Sequence, residues 1–392
     1  MLTDSRAMTQ IQIAPPGLKN VVVADTELGD VRGGEGFYHY REYDAIDLAR
    51  SRSFTEVWHL LFVGHLPDPA ELTAFEQEIA AARTLPEPVR ELLPTVARAG
   101  RDRHALARLR TALSLLGAVD GFEPAWGADP ERLRREAIRV AAVTPTLLAA
   151  MHRLRAGEQP IPPRPELSTA ADWLWQLTGS EPDPQTVAAI ERYLVCTIDH
   201  GFNASTFTAR VITSAGSDVA SAVCGALGAF AGPLHGGAPD RALDALDEIG
   251  EASRARDWVR QKVADGDRIM GFGHAVYRTA DPRAMLLRET ALELGGELVE
   301  LAVAVEQEVV AALAELKPGR ELYANVEFYA GVVMERCGLP RELFTPTFAV
   351  ARVVGWGANV LEQNRSSKIF RPSARYVGRP APQPVPVRST AG

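Results

Sequence analysis

Two short segments, Gly232-Pro233-Leu234-His235-Gly236-Gly237 and Gly271-Phe272-Gly273-His274-Ala275-Val276-Tyr277-Arg278, each set a histidine among glycines. Glycine lets a backbone turn tightly and approach a ligand closely, so each imidazole would be presented from a fixed loop. The second segment runs on into Asp281-Pro282-Arg283. Arginine's planar fork takes a carboxylate bidentately, so histidines followed by Arg278 and Arg283 suit an acidic, oxygen-rich substrate. Taken alone, Arg278 and Arg283 also read as a solvated basic loop.

His235 precedes Pro239, a residue suited to the first turn of a helix. The positive potential of a helix start disfavours a protonated imidazole, and a neutral one that donates a hydrogen bond can polarise a carbonyl or steady an enolate. The plain alternative is a loop histidine that caps backbone groups. His200, in Asp199-His200-Gly201-Phe202-Asn203-Ala204-Ser205-Thr206, follows a long apolar helical pattern. That corner is either a capped turn or a ligand-facing one, and both stay open. Asn325-Val326-Glu327-Phe328-Tyr329-Ala330-Gly331 sets one carboxylate at the start of an apolar helix. Glu327 there either accepts helix N–H groups or, with its pKa raised in an apolar cleft, acts as a general base. His59 and His65, in an apolar helix and its exit, and His104 and His152, on arginine-rich helical surfaces, read as structural or solvated; His39 is undecided.

The elements that must position these residues are helical. Leu72, Phe75 and Ile79 repeat at helical spacing after Pro67-Asp68-Pro69, and Thr186 to Ile198 does the same after Pro182-Asp183-Pro184. Arg241 to Ile249 and Glu297 to Leu316 continue the pattern, while the Ala- and Gly-rich Val219 to Phe230 and Phe348 to Leu361 suit tightly packed buried helices. Strand signals are confined to Asn20 to Ala24 and Phe37 to Tyr40, which flank a turn-rich Gly29 to Gly34 and predict a small N-terminal hairpin. Gly157 to Glu166 reads as a proline-rich surface loop, and Arg379 to Gly392 as a disordered or extended tail. The fold class expected is all-α.

Composition excludes several classes. With 392 residues, 46% hydrophobic and 23% charged, the chain has the make-up of an ordinary globular protein. The net charge of −8 argues against a nucleic-acid partner. No apolar run reaches the ~18 residues of a membrane span, and no secretory signal is visible, so a cytoplasmic location is expected. Three cysteines without CxxC spacing argue against a disulfide framework, and no histidine spacing suggests a zinc ligand set, so no metal is expected. A P-loop, a dinucleotide fingerprint, HExxH and a Gly-x-Ser-x-Gly elbow are all missing from the sequence.

These motifs together, with Arg371-Pro372-Ser373 and a looser match from Glu27-Leu28-Gly29 to Leu66-Pro67, resemble the citrate synthase family in order and spacing from about residue 20 to about 378. The resemblance implies a two-domain helical homodimer, with a large domain over 1–235 and 334–392 and a smaller mobile one over 236–333. It implies the condensation of acetyl-CoA with oxaloacetate and water to give citrate and CoA, through an enol of acetyl-CoA and citryl-CoA. A 2-methylcitrate synthase using propionyl-CoA and a low-activity regulatory paralogue are its alternatives. By resemblance His200, Arg283 and Arg352 surround oxaloacetate, with Arg371 reaching in from the neighbouring subunit. His274 bonds the oxaloacetate carbonyl, His235 holds the thioester oxygen, and Arg278 contacts coenzyme A phosphates. Acetyl-CoA enters as substrate, and no cofactor is implied. The family's base is an aspartate, whereas this chain has Glu327; the extra methylene moves the carboxylate by ~1.5 Å on an unchanged backbone.

Overall fold

A computed structural model describes residues 12–101, 104–233, 235, 239–274, 276–366 and 368–385. Helices dominate it, as expected. Four of them begin at an Asp-Pro pair: Pro69–Ala82, Pro130–Arg155, Pro184–Thr197 and Pro282–Leu294. In each the aspartate is the N-cap and its carboxylate accepts first-turn N–H groups, while proline, which has no N–H to lose, occupies the first helical position.

The helix Phe344–Asn364 is the axis of the core. It is buried on nearly every side from Phe344 to Val360, the signature of a helix enclosed by others. Phe54–Val63, Pro130–Arg155, Pro184–Thr197, Ala204–Ser214 and Val219–Phe230 all pack on it. Glu297–Leu316 and Val219–Phe230 have the bounds read from the sequence. Phe344–Asn364 is longer than its predicted span of 348–361, because its ends are also buried.

The N-terminal hairpin exists with a different first strand. β1 (Gly29–Arg32) pairs antiparallel with β2 (Phe37–Tyr40), which pairs with β3 (Tyr43–Asp44). The segment Asn20 to Ala24, expected to be that strand, is mostly exposed, with Val22 85% accessible. Three consecutive valines supply strand propensity but no alternating face to bury. Val31, inside the run read as a turn, does pack on the core.

Residues 157–166 lie outside regular structure apart from a turn, and so do residues 379–385 of the predicted tail. The rest of that tail, 386–392, lies outside the described residues. Among the described residues, no helix is long and apolar enough to cross a membrane.

Candidate active site

The C-terminal end of helix Pro184–Thr197 carries the first site residue. A helix end leaves carbonyls without intrahelical partners, and here three long side chains take them. Tyr40 donates to the Val195 carbonyl at 2.9 Å, Tyr38 to that of Cys196 at 3.0 Å, and Arg352 Nε to that of Thr197 at 3.0 Å. The β2 strand and the Phe344–Asn364 helix thus clamp the corner on which His200 stands. At this corner His200 Nε2 lies 2.9 Å from the Tyr277 hydroxyl and its ring meets that of His274 edge-on at 5.8 Å, which brings His200 and His274 together.

The approach of these helices depends on Gly355. A Cβ built there would stand 2.1 Å from the Ile198 carbonyl oxygen. Alanine within a helix gains roughly 0.5–1 kcal/mol over glycine, whereas overpacking against rigid surroundings costs about 1–3 kcal/mol. Because the obstacle is backbone, the second effect wins. Gly355→Ala is expected to lower the urea midpoint as Arg352 is pushed from Thr197.

His274 is set by pairing between two chain segments. Phe272 bridges to Ala324, Gly273 N–H donates to the Tyr323 carbonyl at 2.8 Å, and Asn325 Nδ2 donates to the Gly273 carbonyl at 2.9 Å. Gly273 has φ +81, in the left-handed region that glycine adopts freely, and so turns the chain into His274. The same pairing brings Glu327 alongside, on the first turn of helix Val326–Arg336. Asn325 Oδ1 accepts the Glu327 N–H at 3.0 Å, so the helix is capped by Asn325 and the Glu327 carboxylate is not needed as the cap.

The hydrogen bonds identify the tautomer of His274. His274 Nδ1 accepts the N–H groups of Val276 and Tyr277 at 3.0 and 3.1 Å, so a neutral ring carries its proton on Nε2. Arg283 Nη2, which can only donate, lies 3.3 Å from that Nε2. Two donors therefore face each other, an arrangement that calls for an oxygen acceptor between them. Arg283 is itself fixed by Asp281, whose two oxygens take Nε and Nη2 at 3.0 and 2.8 Å in a buried pair. That salt bridge raises the guanidinium pKa.

His235 Nε2 lies 3.3 Å from the Ser205 backbone nitrogen and 2.8 Å from Ser205 Oγ. Ser205 Oγ is held by Trp356 Nε1 at 3.2 Å and Asn203 Oδ1 at 2.7 Å.

All three imidazoles are kept neutral, first by burial and then by nearby arginine charge. His235 and His274 are pushed down to about 4, the second cause being Arg352 for His235 and Arg283 for His274. His200 falls well below its usual value for the same reasons. Burial pushes Asp199, behind His200, up to about 6, against the pull of Arg352.

A lowered histidine pKa adds stability that is complete above pH 6.5 and is lost as pH falls towards 4. Wild type should therefore lose stability more steeply than His235→Gln over that window. The difference should reach ~1 kcal/mol per pH unit, the ~1.36 limit being reduced by solvent screening. Urea midpoints at several pH values would show it, and parallel curves would refute the buried neutral ring.

Arg278 is exposed and lies with His274 and Tyr277 on a cleft of about 670 Å³ that also includes Arg320 and Tyr323. His200, His274, Arg283, Arg352 and Arg278 are thus neighbours through Tyr277, Thr197 and the cleft, His235 adjoins them through Ser205, and Glu327 follows the segment paired with Gly273. Arg371 stands apart, exposed on the segment after the last helix. Among the described residues no hydrogen bond joins it to the others.

Ser205, Asp281, Asn325 and Tyr277 were visible in the motifs but without roles. Each works by orienting another side chain, and only the positions of N-cap residues, such as Asn325 and Asp281, signal that from sequence.

The helical fold thus carries neutral histidines beside buried arginines, with Glu327 on the neighbouring helix. The chain matches the family model "Citrate synthase, C-terminal domain" over residues 17–373. It is 38% identical to a citrate synthase of Synechocystis over 95% of this chain and 92% of that one. It is also 38% identical to citrate synthase 2 of Bacillus subtilis, over 96% and 100%. Among solved structures it is similar to citrate synthase of Thermotoga maritima, with a TM-score of 0.83, 34% identity and coverage of 95% and 98%. The enzyme of Thermoplasma acidophilum, in ternary complex with carboxymethyl coenzyme A and oxaloacetate, gives a TM-score of 0.85, 28% identity and coverage of 95% and 98%. The chain belongs to the citrate synthase family and is an enzyme of that type.

Proposed function

We propose that this protein condenses acetyl-CoA with oxaloacetate and, with water, releases citrate and coenzyme A. The observation that carries the reading is the pair of converging donors, His274 Nε2–H and Arg283 Nη2–H, which suits the oxygens of a 2-oxo dicarboxylate. Oxaloacetate lies with its carbonyl on His274 and its carboxylates among His200, Arg283 and Arg352. Arg371 of a second copy completes the set in a homodimer, in the cytoplasm. Arg278 takes coenzyme A phosphates at the mouth of the cleft. Residues 236–333 act as the small domain whose closure keeps water from the first step. The solved relative that holds oxaloacetate and a coenzyme A analogue supports this substrate pair.

The chemistry follows from the protonation states. Methyl protons of a thioester are weakly acidic, so Glu327 removes one while a His235 ring N–H stabilises the forming enolate oxygen. A neutral donor suits this task, because it needs no proton transfer to a weakly basic oxygen. The enolate carbon attacks the ketone, and the oxygen that becomes the hydroxyl takes up one proton through His274 Nε2–H, which balances the one removed by Glu327. Water then cleaves citryl-CoA.

Initial rates of oxaloacetate-dependent thiol release with acetyl-CoA and propionyl-CoA test the proposal. A clear preference for acetyl-CoA is expected. A large preference for propionyl-CoA would reassign the enzyme to 2-methylcitrate synthesis, and coenzyme A binding without turnover would mark a regulatory paralogue.

A further inference from the structure

Away from the active site, the exit of helix Phe54–Val63 and the start of helix Pro69–Ala82 bring His59, His65 and Glu71 together. One ligand atom from each lies within 4.8 Å of the other two. Five residues separate each neighbouring pair along the chain, a spacing that suggests no metal ligation; the loop from Gly64 to Asp68 folds them into one cluster.

His59 and Glu71 are each oriented by a bond to loop backbone, and His65 by Glu71 and the His59 ring. His59 is buried, its ring edge-on to Phe75 at 5.3 Å, and its Nδ1 lies 3.0 Å from the His65 carbonyl. Only a ring N–H satisfies that carbonyl, so Nδ1 carries the proton and Nε2 keeps its lone pair. A ligating histidine commonly has this outer bond to a backbone carbonyl. Glu71 Oε2 accepts the Asp68 N–H at 2.9 Å as part of a helix capping box, which leaves Oε1 turned to His65 Nε2 at 3.0 Å.

We propose that His59, His65 and Glu71 bind one divalent transition-metal ion such as zinc, with water as the fourth ligand. Two imidazoles and one carboxylate are a donor set that zinc accepts in tetrahedral geometry. Ligands at about 2.0–2.1 Å from an ion stand roughly 3.4 Å apart in a tetrahedron. The widest pair must therefore close, and the half-exposed side chains of His65 and Glu71 have the room to do so. The ion would tie the end of one helix to the start of the next, as a structural clamp with no part in the condensation.

The full-length protein, stripped with chelator, would be titrated with zinc chloride by calorimetry, with cobalt(II) absorption reporting geometry. One equivalent is expected, with tetrahedral cobalt bands and a rise of a few degrees in Tm at saturating zinc. His65→Ala and Glu71→Gln change accessible positions, and the glutamine of the second variant retains the capping bond. Each should weaken binding by more than the ~10–100-fold that loss of an outer-shell partner costs, and thiol release without metal should stay unchanged. Absence of binding, octahedral cobalt spectra, or equal affinity in His65→Ala, which would place the ion elsewhere, overturns the proposal.

Discussion

Glu327→Gln is expected to lower thiol release from acetyl-CoA by about 10²–10⁴-fold, the range a positioned general base supplies. Glutamine keeps the length and nearly the shape of the side chain but cannot take a proton at neutral pH. Asn325 caps the helix on which residue 327 sits, so the variant keeps that cap. Oxaloacetate affinity should also hold, because the histidines and arginines around that substrate are untouched. The direct readout is exchange of the acetyl methyl protons with deuterated water, followed by NMR, and unaltered exchange would remove Glu327 from the role of base. Glu327→Asp separates reach from chemistry. The pairing of 271–273 with 323–325 pins the backbone under residue 327, so withdrawing the carboxylate by ~1.5 Å should slow turnover by up to about 10²-fold. A faster Asp variant would show instead that the longer side chain is a handicap.

The sequence made some parts of this site plain and hid others for a physical reason. Helix starts were readable at Asp68-Pro69 and Asp183-Pro184, since capping is a local interaction between residues two or three apart, while the same pair at Asp129-Pro130 and Asp281-Pro282 went unread. The glycine-flanked histidines were readable because tight turns demand glycine. What stayed hidden is long-range. Nothing along the chain tells that Arg352 answers the carbonyl of Thr197, 155 residues away, or that Tyr38 and Tyr40 hold the same helix end. The first hairpin strand was misplaced because Val21, Val22 and Val23 have strand propensity with no surface to cover, while Val31 has one. His59, His65 and Glu71 looked ordinary for a similar reason: their meeting depends on how the loop between two helices folds back. The alternatives at His200 and Glu327 turn on tertiary contacts that the chain does not spell out, such as the edge-on meeting of His200 with His274 and the Asn325 cap on the helix that carries Glu327.

Asp281→Asn should destabilise the protein by about 3–5 kcal/mol, the cost of breaking a buried ion pair from one side. The carboxylate holds four donors: the Arg283 backbone N–H, Arg283 Nε and Nη2, and the Val326 N–H at 3.2 Å. Asparagine keeps one oxygen for the first two of these. Its amide nitrogen then faces Arg283 Nη2 and the Val326 N–H, donor against donor, and the guanidinium is left buried without a counter-charge. A urea midpoint that falls with an unchanged slope would report the loss. Burial alone would raise the Asp281 pKa, but the charge and hydrogen bonds of Arg283 outweigh it and hold the pKa below 3.8. A depressed carboxylate pKa contributes stability that is present above about pH 4 and disappears as pH falls through the folded value. The gap between wild type and Asp281→Asn should therefore be constant from pH 5 to 8 and close only in stronger acid, a window distinct from that of His235. Val326 begins the helix that carries Glu327, so the same substitution should also weaken oxaloacetate binding and slow methyl-proton exchange. An Asn variant as stable as wild type would mean that Arg283 has another source of compensation and that the two converging donors are not held by Asp281.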